Sequence, residues 1–209
     1  MERAKRPWTV SVSGGLLALV LSLALGASGA WGGQPTEDVK NLLDEVMAIL
    51  HNQNLNTPAR KRQRLELIEQ VAMRRFDYRE MAKRCLNATW LELSRPQQDE
   101  FAHLFTQLLK ASYAGRIDEI ANARVDYRSE RQDGDTAVVR AVFLRTNDKV
   151  PVDFCLLREP QGWMIYDLII EDVSLMKNFR DQFGRIIQGG SYKNLLQRLR
   201  NKLKEETRD

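Results

Sequence analysis

Asp167 and Glu171 are the two carboxylates of this chain best placed to do chemistry. They lie in and just beyond the alternating run Trp163-Met164-Ile165-Tyr166-Asp167-Leu168-Ile169-Ile170. Period-two alternation sets both on the face that carries Trp163 and Ile165. An acid/base pair there would suit a small isomerase or hydrolase. The alternative is structural: Arg180, about a turn and a half into the following helix, supplies a bidentate partner, so that Asp167, Glu171 and Arg180 brace strand to helix. The brace is the preferred reading, because a carboxylate on an apolar face needs a partner.

Little else in the chain offers catalysis. There is no G-x-S-x-G elbow, no Gly-rich phosphate loop and no H-E-x-x-H. Only two histidines occur. His103 falls roughly 200° around its helix from Phe101 and so faces solvent, and His51 sits at a helix end. Both read as surface histidines, so no metal, cofactor or catalytic residue is assigned. Cys85 and Cys155 are an even pair: an oxidising compartment permits a disulfide between them, and two separate buried thiols are the alternative.

The elements that position these groups follow from periodicity. Helical spacing marks a first helix from Val39 to Leu50 after the start signal Pro35-Thr36, a second from Pro58 to about Arg75, and a short third after Asp77. Ser94 and Gln97 match a capping box with Pro96 in the first turn, opening a helix that ends near Gly115. The period then changes to two over Val125 to Arg131, Thr136 to Thr146, Val150 to Leu157 and Trp163 to Ile170. These read as four strands joined by turn sequences, an antiparallel meander. Ser174 caps a helix carrying Leu175, Phe179, Phe183 and Ile186, and after Gly189-Gly190 a last helix turns Leu195, Leu196, Leu199 and Leu203 inward. The order describes an α+β domain, a four-stranded meander sheet packed with N- and C-terminal helices. It resembles the cone-shaped nuclear-transport-factor and cystatin-like folds, which keep an apolar cavity between sheet and helices.

The N-terminus reads as a secretory signal peptide. Arg3, Lys5 and Arg6 precede an apolar run from Val10 to Leu25, and Ser28-Gly29-Ala30 supplies small residues for cleavage after Ala30. An uncleaved anchor is the alternative, although the run is short for a span of about 20 residues. Removing residues 1–30 leaves residues 31–209 as one domain and lowers the formal charge of +4 to about +2. Basic residues alternate with acidic ones as on solvated helix faces, so no nucleic-acid partner is implied.

Phe101, Phe105, Leu108, Phe179 and Phe183, with Val142, Leu144, Val152, Phe154, Tyr166 and Leu168, form the inward-facing apolar set. Periodicity alone does not separate a filled interior from a hollow one, so these residues are the candidates to line an apolar, lipid-binding cavity.

The stretch Trp163 to Leu175, followed by Asn178-Phe179-Arg180 and Gln182-Phe183, resembles the hallmark of the MlaC, or toluene-tolerance, family. Phe76-Asp77-Tyr78-Arg79-Glu80-Met81-Ala82 before Trp90, then Phe101 to Tyr113, then Val150-Pro151-Val152-Asp153-Phe154, follow in the family's order over nearly all of residues 31–209. The resemblance implies a periplasmic phospholipid carrier without covalent chemistry. Its implied partners are an inner-membrane ABC transporter complex and an outer-membrane lipoprotein/porin complex, in a system that maintains lipid asymmetry. It places the segment from Tyr166 to Leu175, with Leu168 and Val173, and the helix bearing Met176, Phe179 and Phe183 beside the lipid cavity; Met81 is a further candidate lipid contact. The chain departs from the family pattern at Asp172, where Gly often follows the Glu, and at Cys155, where a polar or basic residue is usual. Relatives in hopanoid-linked settings leave the lipid class open.

Overall fold

The computed structural model describes residues 34–114 and 117–206, all within the compact unit Trp31–Asp209. The expected signal segment with its expected cleavage site and the expected helix stop at Gly115 lie outside the described residues. Helix α1 (Pro35–Leu50) opens with Pro at its first position, where the missing amide does least harm. Its N-cap, Gln34, makes no side-chain cap. The job passes to Glu130 in a distant strand, whose carboxylate accepts from the Thr36 amide at 2.8 Å and the Thr36 hydroxyl at 2.6 Å. A 3-10 turn (Pro58–Arg60) leads into α2 (Lys61–Met73).

Asp77 caps α3 (Tyr78–Leu86) by accepting from the Glu80 amide at 2.9 Å. A one-turn helix α4 (Ala88–Glu92), not expected from the pattern, carries the buried Trp90. Helix α5 (Arg95–Ala114) starts as the capping box requires, with the Ser94 amide donating to Gln97 Oε1 at 2.9 Å. After a 3-10 turn (Ile117–Ile120) the chain forms β1 (Arg124–Asp133), β2 (Thr136–Leu144), β3 (Lys149–Glu159) and β4 (Gly162–Ile170). A fifth strand, β5 (Val173–Ser174), is added to the expected four, and the sheet order is β1-β2-β3-β4-β5, antiparallel throughout. Helices α6 (Leu175–Gln188) and α7 (Tyr192–Glu206) close the chain, and Ser174 Oγ accepts from the Lys177 amide at 2.9 Å.

The apolar residues segregate into two clusters. In one, Val39, Leu42, Leu43, Val46 and Leu50 of α1 and Ile68 and Val71 of α2 pack on the sheet face bearing Val139, Phe143, Phe154, Leu156, Trp163 and Ile165. In the other, α3, α5, α6 and α7 meet around Met81, Cys85, Phe101, Phe105, Met176, Phe183 and Leu195.

Strand β4 changes face partway. Leu156 pairs with Ile165 and Cys155 with Asp167, so Tyr166 is the extra residue of a β-bulge. The segment before α3 pairs with β4 at the same place: the Ile165 amide donates to Arg75 O at 2.7 Å and the Asp77 amide to Ile165 O at 2.9 Å. The bulge corrects the strict alternation read from the sequence. Asp167 does not share the face of Trp163 and Ile165; it lies opposite Cys155, toward α6, while Leu168 and Ile170 rejoin the first face through Phe154 and Val152.

Candidate functional site

Between α1, α2, the C-terminal half of α5 and the sheet lies an apolar hollow of about 520 Å³. Leu42, Leu43 and Val46 of α1 and Leu65, Ile68 and Ala72 of α2 form one wall, and Phe143, Val150, Val152, Phe154, Leu168 and Ile170 of the sheet form the other. Phe76, Tyr78, Met81, Leu109, Ala114, Ile117, Ile120 and Leu175 complete the lining. Protein interiors hold few voids larger than a water, and a hollow walled by Leu, Ile, Val and Phe does not attract water, so one of this size is a candidate ligand space.

Charged groups gather at the rim. Lys110 of α5 forms an ion pair with Glu69 of α2, and both line the hollow. Arg145 donates to both oxygens of Asp148, at 2.7 and 2.6 Å, and to Glu119 at 3.3 Å. Glu171 lines the rim from the β4–β5 turn, exposed, with φ of 49°. The phenol of Tyr78 is pushed up to about 12, first by burial and then by the Glu69 charge.

Asp167 is buried and fully engaged. One carboxylate oxygen accepts from the Ser174 hydroxyl at 2.6 Å and the other from the Met176 amide at 3.0 Å, so the group ties β4 to the first turn of α6. The partner expected from the sequence was Arg180. The bulge turns Asp167 toward the helix N-terminus instead, where a hydroxyl and an orphan amide satisfy it, and Arg180 is exposed. Glu171 takes no part in this tie. Cys85 and Cys155 are both free and buried, and burial, then the Asp167 charge, pushes each thiol up, Cys155 to about 12. Cys85 Sγ lies 3.5 Å from Met176 Sδ.

A family model described as MlaC protein matches residues 40–201, most of the chain. The chain belongs to the MlaC family. Among solved structures it is similar to the phospholipid-binding protein from Ralstonia solanacearum in complex with a phospholipid, at 24% identity and a TM-score of 0.74, over 84% of this chain and 99% of that one. At that identity the likeness is one of fold. No curated protein matches.

Against this MlaC frame, the residues assigned to lipid from the sequence divide. Met81, Val152, Phe154, Leu168 and Leu175 line the hollow, with Glu171 at its rim. Phe101, Phe105, Leu108, Met176, Phe179 and Phe183 do not: they belong to the helical cluster and its margin, where Phe105 meets Phe179 and Phe183 edge-on at 5.4 and 6.1 Å. Val142 and Leu144 point to the opposite sheet face, because the odd-numbered residues of β2 are its buried ones. Within Ala141-Val142-Phe143-Leu144 every residue is apolar, so the sequence carries no parity signal. Tyr166, in the bulge, is stacked under the Arg84 guanidinium at 3.7 Å. Val173 is 59% exposed on β5.

The wall from α1 and α2 was read from the sequence only as helix core. One signal was available there: Leu65, Ile68 and Ala72 share a face with Glu69, a carboxylate beside an apolar stripe, which marks where a core face meets water. His51 Nε2 lies 2.6 Å from Ala121 O and His103 is exposed. No group of three or more His, Cys, Asp or Glu side chains that could hold a metal ion occurs among the described residues.

Proposed function

We propose that this protein is a periplasmic phospholipid carrier. It is exported by a signal peptide over residues 1–30, and residues 31–209 form the lipid-binding domain. It is the soluble component that exchanges lipid with an inner-membrane ABC transporter complex and an outer-membrane lipoprotein/porin complex, and so maintains outer-membrane lipid asymmetry. The observation that carries the reading is the 520 Å³ apolar hollow with a charged rim in a chain of the MlaC family. Its fold neighbour from Ralstonia solanacearum is described in complex with a phospholipid, which supports the same ligand class here. Acyl chains gain roughly 0.8 kcal/mol per methylene removed from water, so an oily sleeve with polar groups at its mouth suits them without covalent chemistry.

The enzyme reading has less behind it. Both oxygens of Asp167 are spent on Ser174 and Met176, on the far side of the sheet from the hollow, which supports a bracing role. The test is extraction of the purified protein followed by mass spectrometry. Co-purifying phospholipid, or uptake of phospholipid from vesicles after delipidation, is the expected result. A lipid-free preparation that also takes up none overturns the proposal.

A further inference from the structure

The polar groups that face the hollow are unequal, and the inequality singles out one corner. Arg145 is already committed, held by both oxygens of Asp148 in its own β2–β3 turn and by Glu119 of the 3-10 turn before β1. Lys110 has one carboxylate partner, Glu69, contributed by a neighbouring helix. The Lys110 side chain is 23% exposed and Glu69 41%, so the ammonium sits deeper and the carboxylate nearer to water. Beside them Tyr78 projects from the start of α3 into the same lining. Its hydroxyl donates to nothing among the described residues, and burial keeps it protonated, as the rise to about 12 reflects. An ammonium offers three N–H donors and a phenol one O–H, and among the described residues one of these four, from Lys110 to Glu69, is engaged.

We infer that Lys110 and Tyr78 are the phosphate-recognition point of this hollow, and that Glu69 is a built-in competitor that occupies Lys110 until a lipid phosphate replaces it. The inference rests on the phospholipid-carrier reading and adds to it where the headgroup is held. An ammonium at the edge of an oily space needs a counter-ion, which Glu69 supplies in the empty protein. The phosphodiester oxygens of an entering lipid accept from Lys110 Nζ and Tyr78 Oη together, while its tails lie along Ala72, Leu109 and Met81. Glu69, the more exposed partner, then turns to water.

The test compares uptake of dioleoylphosphatidylglycerol with that of dioleoylglycerol, which has the same tails and no phosphate, from vesicles by the delipidated full domain. The unmodified protein prefers the phosphate lipid. The double variant Lys110→Met, Tyr78→Phe lowers the ratio of phosphatidylglycerol uptake to dioleoylglycerol uptake at least about tenfold. Glu69→Gln acts in the opposite direction, raising retention of phosphatidylglycerol about threefold or more. A bridge that merely joined α2 to α5 predicts lower melting temperatures for both changes and an unaltered lipid ratio, and that result overturns the inference. Should the double variant fail to fold, Tyr78→Phe alone, which removes one hydroxyl, must still reduce the preference about threefold or the inference falls. Competition by inorganic phosphate as strong as that by phosphatidylglycerol would reassign the corner to free phosphate. Uptake of neither lipid by the unmodified protein defeats the carrier reading itself, a different outcome from a lipid-binding protein whose preference ignores Lys110.

Discussion

On one side of the molecule Phe101, Phe105, Phe179 and Phe183 stand ring against ring, stacked, edge-on or tilted, with centroids 5.4 to 6.1 Å apart. On the other, Phe76, Phe143 and Phe154 surround a hollow. Both regions are built from the same kinds of side chain, so hydrophobicity does not decide which fills. The difference lies in what holds the walls. The filled side is four helices free to approach until their rings interlock.

The walls of the hollow are held at fixed places by directional polar ties. Asp38 of α1, 8% exposed, accepts from the Trp163 amide at 3.1 Å and pairs with Arg75 at 3.2 Å. Arg64 of α2, 7% exposed, donates to Asn56 at 2.7 Å and pairs with Asp118 at 2.8 Å. Glu130 holds the start of α1. Such ties resist the collapse that would close an empty space, because moving a wall strands a buried charge.

The same truncation made on both sides gives the largest expected effect. Phe105→Ala in the filled cluster should destabilise by about 3–5 kcal/mol, the usual range for a fully packed ring. Phe143→Ala should cost about 2 kcal/mol, since one side of its ring already faces the hollow and has fewer partners to lose. Chemical denaturation measures both. Equal losses would mean that the hollow is packed in solution and would break the comparison.

The junction between the two regions comes next. Asp167→Asn removes the charge from two hydrogen bonds that tie β4 to α6 and should cost about 1.5–3 kcal/mol while leaving the lipid bound by the protein unchanged. A thermal melt and a lipid extract of the variant check both halves. Altered lipid with unaltered stability would return Asp167 to the ligand site.

Alkaline pH tests burial on both sides. The Cys155 thiol is raised from an ordinary 9.0 to about 12 by burial, then by the Asp167 and Asp153 charges, and the Tyr78 phenol from 10.0 to about 12 by burial, then by Glu69. Each group keeps its proton longer in the folded protein, so its contribution is whole below the unfolded value and is lost as pH climbs toward 12. Denaturation midpoints should therefore fall between about pH 9 and 12, and Cys155→Ala should flatten the start of that decline. A flat profile in the parent protein would contradict the burial of both groups.

Much of this organisation was legible from residue patterns. The meander, the capping box at Ser94 and the cap at Ser174 are local chemistry, which spacing reports directly. The hollow was not legible, because Leu43 and Ile68 look alike whether they meet another side chain or a space. The face of Asp167 was misjudged because a bulge at Tyr166 depends on the Phe76 segment arriving from a distant part of the chain. The ties of Asp38, Arg64 and Glu130 are hidden for the same reason: their partners are 37 or more positions away, or in a loop whose path the sequence does not set.

The smallest effect concerns the turn that carries the chain from one region to the other. Glu171 and Asp172 have φ of 49° and 64°, consecutive left-handed residues joining β4, which walls the hollow through Ile170, to β5 and the filled helix α6. Two positive φ angles are what a type I′ hairpin turn demands, and glycine satisfies the second without a Cβ penalty. Asp172→Gly should therefore relieve strain worth about 1–2 kcal/mol, offset in part by the greater freedom of glycine in the unfolded chain. A net gain of about 0.5–1 kcal/mol remains, a rise of roughly 1–4 °C in melting temperature for a domain of this size. Lipid content should not change, because Asp172 does not line the hollow. A fall in stability would show that the Asp172 side chain secures the turn in a way that outweighs its backbone strain, and the boundary between the hollow and filled regions would then depend on that carboxylate.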